Sequence, residues 1–320
     1  MVNSKTGTSK LGLVGLILLL ISALILSGCG NAKVNTQNSN MGSSSDPGKK
    51  LTVYTSFYPM YDLTKKVGGD KINLKNLIPA GTEPHDWEPT PGDMGNLEKA
   101  DVLIYNGAGM ETWIDKVLKS IDNEKLVTVE ASKGLKLLDN TDKNENLTYD
   151  PHVWLNPMLA KQEMEAIKNA LVSADPLNKE YYEKNYNDNA QKLDQLDQEY
   201  KKTITELSKK DIIVAHQAFS YLCSAYGLNQ VAIEGLAADS EPSPARMAEI
   251  VNFVKEKQLK YIFFEELVSP KVTQTIAQET GATATVLNPL EGLSEADQQA
   301  GKDYFSVMRD NLEVLKKALQ

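Results

Sequence analysis

The sequence predicts an α/β protein with two α/β lobes of mostly parallel sheet, joined by one long rigid helix. Short β-rich runs alternate with helical stretches on both sides of the middle of the chain, a pattern typical of parallel α/β sheets. Between the two alternating regions, residues 177–209 contain no glycine or proline, which favours an uninterrupted helix. The 320 residues, 41% of them hydrophobic, suffice for two modest cores.

The N-terminal α/β lobe is predicted over residues 50–174. Strands are expected at 51–55, 73–78, 102–106 and 126–130, and helices at 58–68, 92–99, 111–121 and 156–173. Asn156-Pro157 marks the start of the last helix, because asparagine caps free backbone N–H groups and proline suits the first helical position.

The bridging helix is predicted over residues 175–209, and Asp175-Pro176 gives it the same start signal. Its apolar positions recur at helical spacing and include Leu193, Leu196, Tyr200 and Ile204. A single helix would be about 50 Å long at 1.5 Å per residue. The alternative is a helical hairpin that turns at the cluster Asn185–Asn189.

The C-terminal α/β lobe is predicted over residues 210–320, where the alternation resumes. Strands are expected at 211–215, 229–234, 260–265 and 283–287, and helices at 217–226, 243–257, 269–280 and from about 301 to the end.

The first 28 residues read as a lipoprotein signal peptide. Lys5 and Lys10 precede a nearly continuous apolar run, and Leu26-Ser27-Gly28 leads to Cys29, the order of a lipobox. Cleavage before Cys29 would leave a lipid-anchored, extracytoplasmic protein on the cell membrane. A short membrane anchor is the alternative, but the run falls short of the roughly 20 residues a spanning helix needs. Residues 29–49 are small, polar and aperiodic, which predicts a flexible linker.

Composition excludes some classes of function. The net charge is −9 without a long basic run, so nucleic acid is not an expected partner. There are two cysteines, and lipid on Cys29 would leave Cys223 without a disulfide partner. Cys223 is therefore predicted to be a small buried core residue, with metal ligation as a minor alternative.

The three histidines, His85, His152 and His216, all fall in loops or at strand ends. A proline precedes His85 and another precedes His152, and both restrict the local backbone. His216 directly follows a predicted strand, and open α/β sheets bind ligands outside the carboxyl ends of their strands. Any one of them alone would more often be a capped or core residue. Together they suggest a site for a metal that imidazole prefers, such as Zn²⁺.

The spacing between the histidines matches no short zinc motif, so the site would have to be assembled from distant loops. A fourth ligand should be a carboxylate or water. The residues alone do not rank the carboxylate candidates, which are Asp239, Glu241, Glu265, Glu266 and Glu291.

Four segments resemble the metal-specific solute-binding lipoproteins of ABC importers, the zinc- and manganese-binding receptors once called adhesins. They are the lipobox, the run Gly-Thr-Glu-Pro-His-Asp-Trp-Glu-Pro at 81–89, the run Asp-Pro-His-Val-Trp-Leu-Asn-Pro at 150–157, and a C-terminal segment beginning Asn-Pro-Leu-Glu-Gly-Leu at 288. The resemblance implies two lobes joined by a long helix, a metal buried between the lobes, and a monomer that docks on a membrane permease.

The resemblance also implies a ligand set. His85 and His152 match the first two ligands of the family, His216 the third histidine of its zinc branch, and Glu291 its final carboxylate. Many zinc members carry a long histidine-rich loop before the second histidine. Here residues 139–146 are short and contain none.

Zinc is favoured over manganese because three imidazoles and one carboxylate suit tetrahedral Zn²⁺, whereas Mn²⁺ prefers more oxygen. The transported ligand is thus expected to be Zn²⁺, with Mn²⁺ the alternative within the family. Outside it, the alternatives are a zinc-dependent hydrolase and an adhesin or structural lipoprotein with an incidental metal. Zinc affinity is expected to fall as the pH drops through about 6, because imidazole must be neutral to bind. The long helix should limit hinge closure, which leaves loop ordering as the expected response to metal.

Overall fold

Two four-stranded parallel sheets organise the protein, whose computed structural model describes residues 49–140, 147–236 and 242–320. The predicted signal peptide 1–28, Cys29 and all of the linker but residue 49 lie outside the described residues, as do Asp239 and Glu241. All three described ranges belong to one compact unit.

The first sheet has the strand order β2-β1-β3-β4, and every neighbouring pair is parallel. Its strands are β1 (Leu51–Thr55), β2 (Ile72–Asn76), β3 (Val102–Tyr105) and β4 (Val127–Glu130). The accompanying helices are α1 (Tyr58–Gly68), α2 (Pro91–Leu97), α3 (Ile114–Ser120) and α4 (Pro157–Ala174). Parallel neighbours need crossover connections, which α1, α2 and α3 supply.

The second sheet repeats this arrangement with the order β6-β5-β7-β8, again all parallel. Its strands are β5 (Asp211–Val214), β6 (Asn229–Ala232), β7 (Tyr261–Phe264) and β8 (Thr283–Val286). Between β5 and the end lie α6 (Ser220–Tyr226), α7 (Pro244–Glu256), α8 (Lys271–Thr280), α9 (Glu295–Gln299) and α10 (Tyr304–Leu319). The predicted fold class of two parallel α/β lobes is confirmed.

One long helix, α5 (Lys179–Thr205), connects the two sheets after a 3-10 turn at Pro176–Asn178. It is shorter at both ends than the predicted span, and at about 1.5 Å per residue it measures about 40 Å. At its C-terminal end the Lys210 ammonium donates to the Ile204 carbonyl, which satisfies one of the free carbonyls there.

The asparagines that suggested a hairpin turn instead attach α5 to α1. Asn185 Nδ2 donates to the Val67 carbonyl at 3.0 Å, and Asn189 Nδ2 donates to the Lys66 carbonyl at 3.3 Å. Both acceptors lie in the last turn of α1, whose carbonyls have no partner within the helix. The hairpin alternative is wrong because the helix runs without a break from Lys179 to Thr205, through both asparagines.

The core of the molecule is continuous across α5. The four predicted apolar positions of this helix are fully buried, and they share one cluster with side chains from both lobes. The helix packs on α1 and α4 of the first lobe and on α6 and α10 of the second. Tyr200 Oη also donates to the Met308 carbonyl at 2.6 Å. The two lobes are thus joined by packed helices rather than by a thin linker.

Among the helices of the three described ranges, none combines the length and the hydropathy that crossing a bilayer requires.

A fully buried carboxyl group on α4 should make stability depend on pH. Neither carboxyl oxygen of Glu163 has a hydrogen-bond partner within the described structure. Burial, helped by the Glu111 charge, raises the pKa of Glu163 from 4.5 to about 8. The folded chain therefore binds a proton that the unfolded chain has lost between those pH values. This group makes the free energy of unfolding fall as the pH rises through that window.

Replacing Glu163 by leucine should remove this group's contribution to the pH dependence of the unfolding free energy. The gain in unfolding free energy from Glu163→Leu at pH 8 should exceed the gain at pH 5 by about 2 kcal/mol or more. Chemical denaturation of metal-free protein at both pH values measures it. Glu165→Leu, at an exposed position of the same helix, is the matched control and should show no such difference. Equal gains at the two pH values would show that Glu163 is ionised in the folded chain.

Candidate metal centre

His85 lies in the loop between β2 and α2, and contacts with both lobes fix this loop. Gly81 takes a positive φ of 72°, which opens the turn, and its N–H donates to the Leu293 carbonyl at 3.1 Å. Trp87 packs edge-on against Trp113 with ring centroids 5.3 Å apart. These contacts place the His85 ring over the second lobe, with 7% of its side chain exposed.

His152 comes just before a 3-10 turn, Val153–Leu155, that leads into α4. Its imidazole is fully buried. Asn156 Oδ1 accepts the Met158 N–H at 2.9 Å, so the predicted cap of α4 is present and fixes the end of this segment.

His216 follows β5, the strand from which the second sheet extends in both directions to β6 and β7. This is the topological switch point of the sheet, where connections to neighbouring strands leave a crevice. The histidine is fully buried. The next residue, Gln217, donates its N–H to the Gly235 carbonyl at 2.7 Å, which orients the chain as it leaves the strand.

Glu291 lies in an irregular segment after β8 and is 2% exposed. Its carboxylate is the centre of the cluster. Its Oε1 lies 2.9 Å from His152 Nε2, 3.1 Å from His216 Nε2 and 3.5 Å from His85 Nε2. One ligand atom from each of these four residues can be chosen so that all lie within 4.8 Å of one another. The four residues named by the resemblance are therefore brought together across the two lobes.

Two further carboxylates orient the His152 and His216 imidazoles by bonding to Nδ1, the ring nitrogen that faces away from Glu291. Asp150 Oδ1 lies 2.8 Å from His152 Nδ1 and accepts the His152 N–H at 2.9 Å. Glu265 accepts from His216 Nδ1. A carboxylate on Nδ1 keeps the proton there and leaves Nε2 as the coordinating atom. Both rings therefore present Nε2 to the same point.

Burial and charge act against each other on the pKa values of the cluster. Burial lowers the pKa of His152, but the Asp150 and Glu291 carboxylates outweigh it and raise the pKa to about 9. For His216, burial is again outweighed, by Glu265 and Glu291, and its pKa stands well above 6.5. Burial alone would raise the pKa of Glu291, yet the three imidazoles hold it well below 4.5. Without metal, at neutral pH, His152 and His216 are thus imidazolium groups that face the Glu291 carboxylate.

Glu83 adds another carboxyl group from the His85 loop. Its Oε1 accepts the His85 N–H at 3.1 Å. Burial and the charge of Glu291 raise its pKa to about 8, so it is neutral at pH 7 and adds no negative charge to the site.

The remaining ligand candidates have other positions or roles. Glu265 binds the far side of the His216 ring, and Glu266 Oε2 accepts from Asn288 Nδ2 at 3.1 Å. Cys223 is buried in α6 within the hydrophobic core, as predicted, and is not a member of the four-residue group. Sequence reasoning missed the supporting role of Asp150. The Asp-Pro-His order was its signal, because an acceptor two residues before a histidine can bond back to it.

The arrangement can bind a divalent transition metal through three nitrogens and one carboxylate oxygen. Four donors of this kind suit tetrahedral Zn²⁺. Such a closed set differs from catalytic zinc sites, which keep three protein ligands and an open position for water.

Comparisons with known proteins agree with this geometry. A family model described as ZnuA, zinc-uptake complex component A, periplasmic, matches residues 53–318. The high-affinity zinc uptake system protein ZnuA of Bacillus subtilis is 43% identical over 315 residues, which cover 95% of this chain and 97% of that protein. The zinc-binding lipoprotein AdcA of Streptococcus pneumoniae is 39% identical over 314 residues, and the match spans 95% of this chain and 60% of AdcA.

A solved structure extends the likeness to three dimensions. The Zn(II)-bound ZnuA-like domain of Streptococcus pneumoniae AdcA matches with a TM-score of 0.75 and 42% identity, covering 85% of this chain and 99% of that one. The family comprises solute-binding components of uptake systems rather than enzymes, which removes the zinc hydrolase alternative. The predicted family is confirmed, and the chain belongs to the ZnuA family of periplasmic zinc-uptake components.

Proposed function

We propose that this chain is an extracytoplasmic receptor that captures Zn²⁺ and delivers it to an ABC-type importer in the membrane. The observation that carries the proposal is the convergence of three imidazoles and one carboxylate within 4.8 Å. His85, His152, His216 and Glu291 would be the metal ligands. The relatives named for zinc uptake and zinc binding support zinc as the cargo.

The geometry suggests how capture would work. The His152 and His216 rings are fully buried, whereas the His85 side chain is 7% exposed. Zn²⁺ would therefore meet the His85 loop first and complete its coordination deeper, at His152, His216 and Glu291. Since α5 packs on helices of both lobes, release to the permease would proceed by loosening of the His85 and Glu291 loops rather than by wide separation of the lobes.

The proposal includes the cellular setting. Cleavage before Cys29 and lipid attachment there would hold a monomer at the membrane by the linker 29–49. The N-terminal lobe 50–174, bridging helix 175–209 and C-terminal lobe 210–320 would form the receptor body. The lipoprotein AdcA supports the anchor by similarity.

Metal content and competition binding test the function. Protein from residue 30 onward is expected to hold one zinc per chain and to compete for it with a high-affinity chelator, because four preorganised ligands bind Zn²⁺ tightly. Manganese should not displace zinc, since nitrogen-rich sites favour zinc. Zinc affinity that is only micromolar would contradict an import receptor, which must bind scarce metal, and would favour an adhesin with an incidental metal.

A further inference from the structure

The Glu291 segment has no regular secondary structure of its own, so hydrogen bonds from other parts of the molecule must fix it. Between β8 and α9 the chain runs through residues 287–294 without a strand or helix. The segment is nevertheless buried, and Leu287 and Leu290 are fully inaccessible. Irregular buried backbone keeps one conformation only where its polar groups are paired.

Part of that pairing comes from the second lobe. Asn311 of α10 accepts the Asn288 N–H at 2.9 Å and donates to the Asn288 carbonyl at 2.7 Å. Asn288 Oδ1 then accepts the Leu290 N–H at 2.7 Å. Leu290 has a φ of 61°, an unfavourable left-handed conformation for leucine, directly before Glu291. Such a conformation persists only when the surroundings impose it.

The other anchor comes from the first lobe. Trp154 donates its indole N–H to the Pro289 carbonyl at 2.7 Å. This residue lies two positions after His152, is fully buried, and packs edge-on against Phe57 with centroids 4.9 Å apart. Its own carbonyl accepts from Tyr304 Oη at 2.7 Å. These contacts therefore fix both the indole ring and the backbone of Trp154.

We infer that Trp154 is a positioning residue that couples the placement of His152 to that of Glu291. This inference rests on the proposed function. The indole N–H fixes a carbonyl two residues before Glu291, while the Trp154 backbone continues the turn that carries His152. A displacement of either ligand segment is resisted by the other through this one side chain. The geometry of the imidazole and the carboxylate is thereby set before metal arrives.

The inference is tested by measuring zinc binding of the Trp154→Phe variant by competition, with the full chain in detergent. Phenylalanine keeps an aromatic ring against Phe57 but leaves the Pro289 carbonyl without its donor, so zinc affinity should fall about tenfold. Tyr182→Phe is the matched control. Tyr182 is likewise a fully buried aromatic residue, its hydroxyl donates to Asp175 Oδ2 at 2.8 Å, and it lies in α5 outside the four-residue group. Its replacement should leave zinc affinity unchanged.

A double-mutant cycle separates positioning from general destabilisation. If Trp154 acts through Glu291, Trp154→Phe should cause no further loss of affinity in a Glu291→Gln background. The visible absorption of the Co²⁺-loaded Trp154→Phe protein should also shift, because the carboxylate is displaced. An equal loss in both backgrounds, or an unchanged affinity of Trp154→Phe, would overturn the inference while leaving the proposed function intact. Failure of the unmodified chain to bind zinc tightly would overturn the proposed function and the inference with it.

A second variant serves if Trp154→Phe does not fold. Asn288→Ala removes the acceptor of the Leu290 N–H and loosens the same segment from the opposite side. It too should weaken zinc binding about tenfold, and only while Glu291 is present. Additive losses in the Glu291→Gln background would contradict the inference in the same way.

Discussion

Replacing His216 by alanine is expected to weaken zinc binding by about 100-fold or more. Structural zinc sites bind with roughly 10–16 kcal/mol, so one of four ligands accounts for a few kcal/mol, and about 1.4 kcal/mol is a tenfold change. Loss of this ring also leaves the buried Glu265 carboxylate without its hydrogen-bond donor, His216 Nδ1. The measurement is chelator competition at neutral pH, with thermal unfolding of the metal-free variant as a check on the fold.

The preference of the site for zinc over manganese should also change in His216→Ala. With His216 removed, two imidazoles and oxygen donors remain, a set that favours zinc over manganese less strongly. The ratio of zinc to manganese affinity should therefore fall. Cys223→Ala is the matched control, because Cys223 is a buried core residue in the same lobe and lies outside the four-residue group. Unchanged zinc binding in His216→Ala would remove this residue from the ligand set.

The sequence was sufficient for the architecture but less so for the ends of elements. Apolar runs and the Asn156-Pro157 signal predicted the strands and α4 within a few residues. The end of α5 was missed because the chain carries no glycine or proline there. Where the chain leaves the helix, the Lys210 ammonium donates to the Ile204 carbonyl and the Lys209 N–H donates to the Leu319 carbonyl of α10 at 3.2 Å. Asn185 and Asn189 were ambiguous because each also donates to a carbonyl of another helix, which the order of residues along the chain does not show.

The candidate site, too, could be predicted only in part from the sequence. Loop positions and residue types sufficed to single out the three histidines, but they left five carboxylates equivalent as a fourth ligand. The choice between Glu265 and Glu291 depends on which ring nitrogen of His216 each one meets, and that is fixed by the pairing of β5 with β7 and by the buried segment after β8. Spacing along the chain contains no such information.

Zinc affinity is expected to rise steeply with pH across neutrality, and to do so at higher pH than free imidazole would suggest. The pKa of His152 is about 9 and that of His216 is well above 6.5 in the metal-free protein, because buried carboxylates face both rings. Coordination requires both rings to lose the proton on Nε2. Lowering the pH through 9 therefore weakens binding progressively, whereas ordinary imidazoles would begin to compete only near 6.5.

The expected dependence is about 100-fold in affinity per pH unit where both protons are displaced, and about two protons should be released per zinc bound near pH 7. Calorimetric titrations in buffers of different ionisation enthalpy count the protons directly. Glu265→Gln is the informative variant, because it removes the carboxylate that raises the pKa of His216, and the proton count should fall. Affinity that stays constant between pH 7 and 9 would contradict the raised pKa values.

Proton displacement also explains how so buried a site can accept a divalent cation. Two imidazolium groups balance most of the charge of Asp150, Glu265 and Glu291 in the metal-free protein. Exchanging two protons for one Zn²⁺ leaves the net charge of the interior unchanged, so no additional unbalanced charge has to be buried. The same exchange provides a means of release, because any proton source that lowers the local pH drives the reaction backwards. A proton count near zero at pH 7 would mean that zinc brings its full charge into the interior, and this account of loading would be wrong.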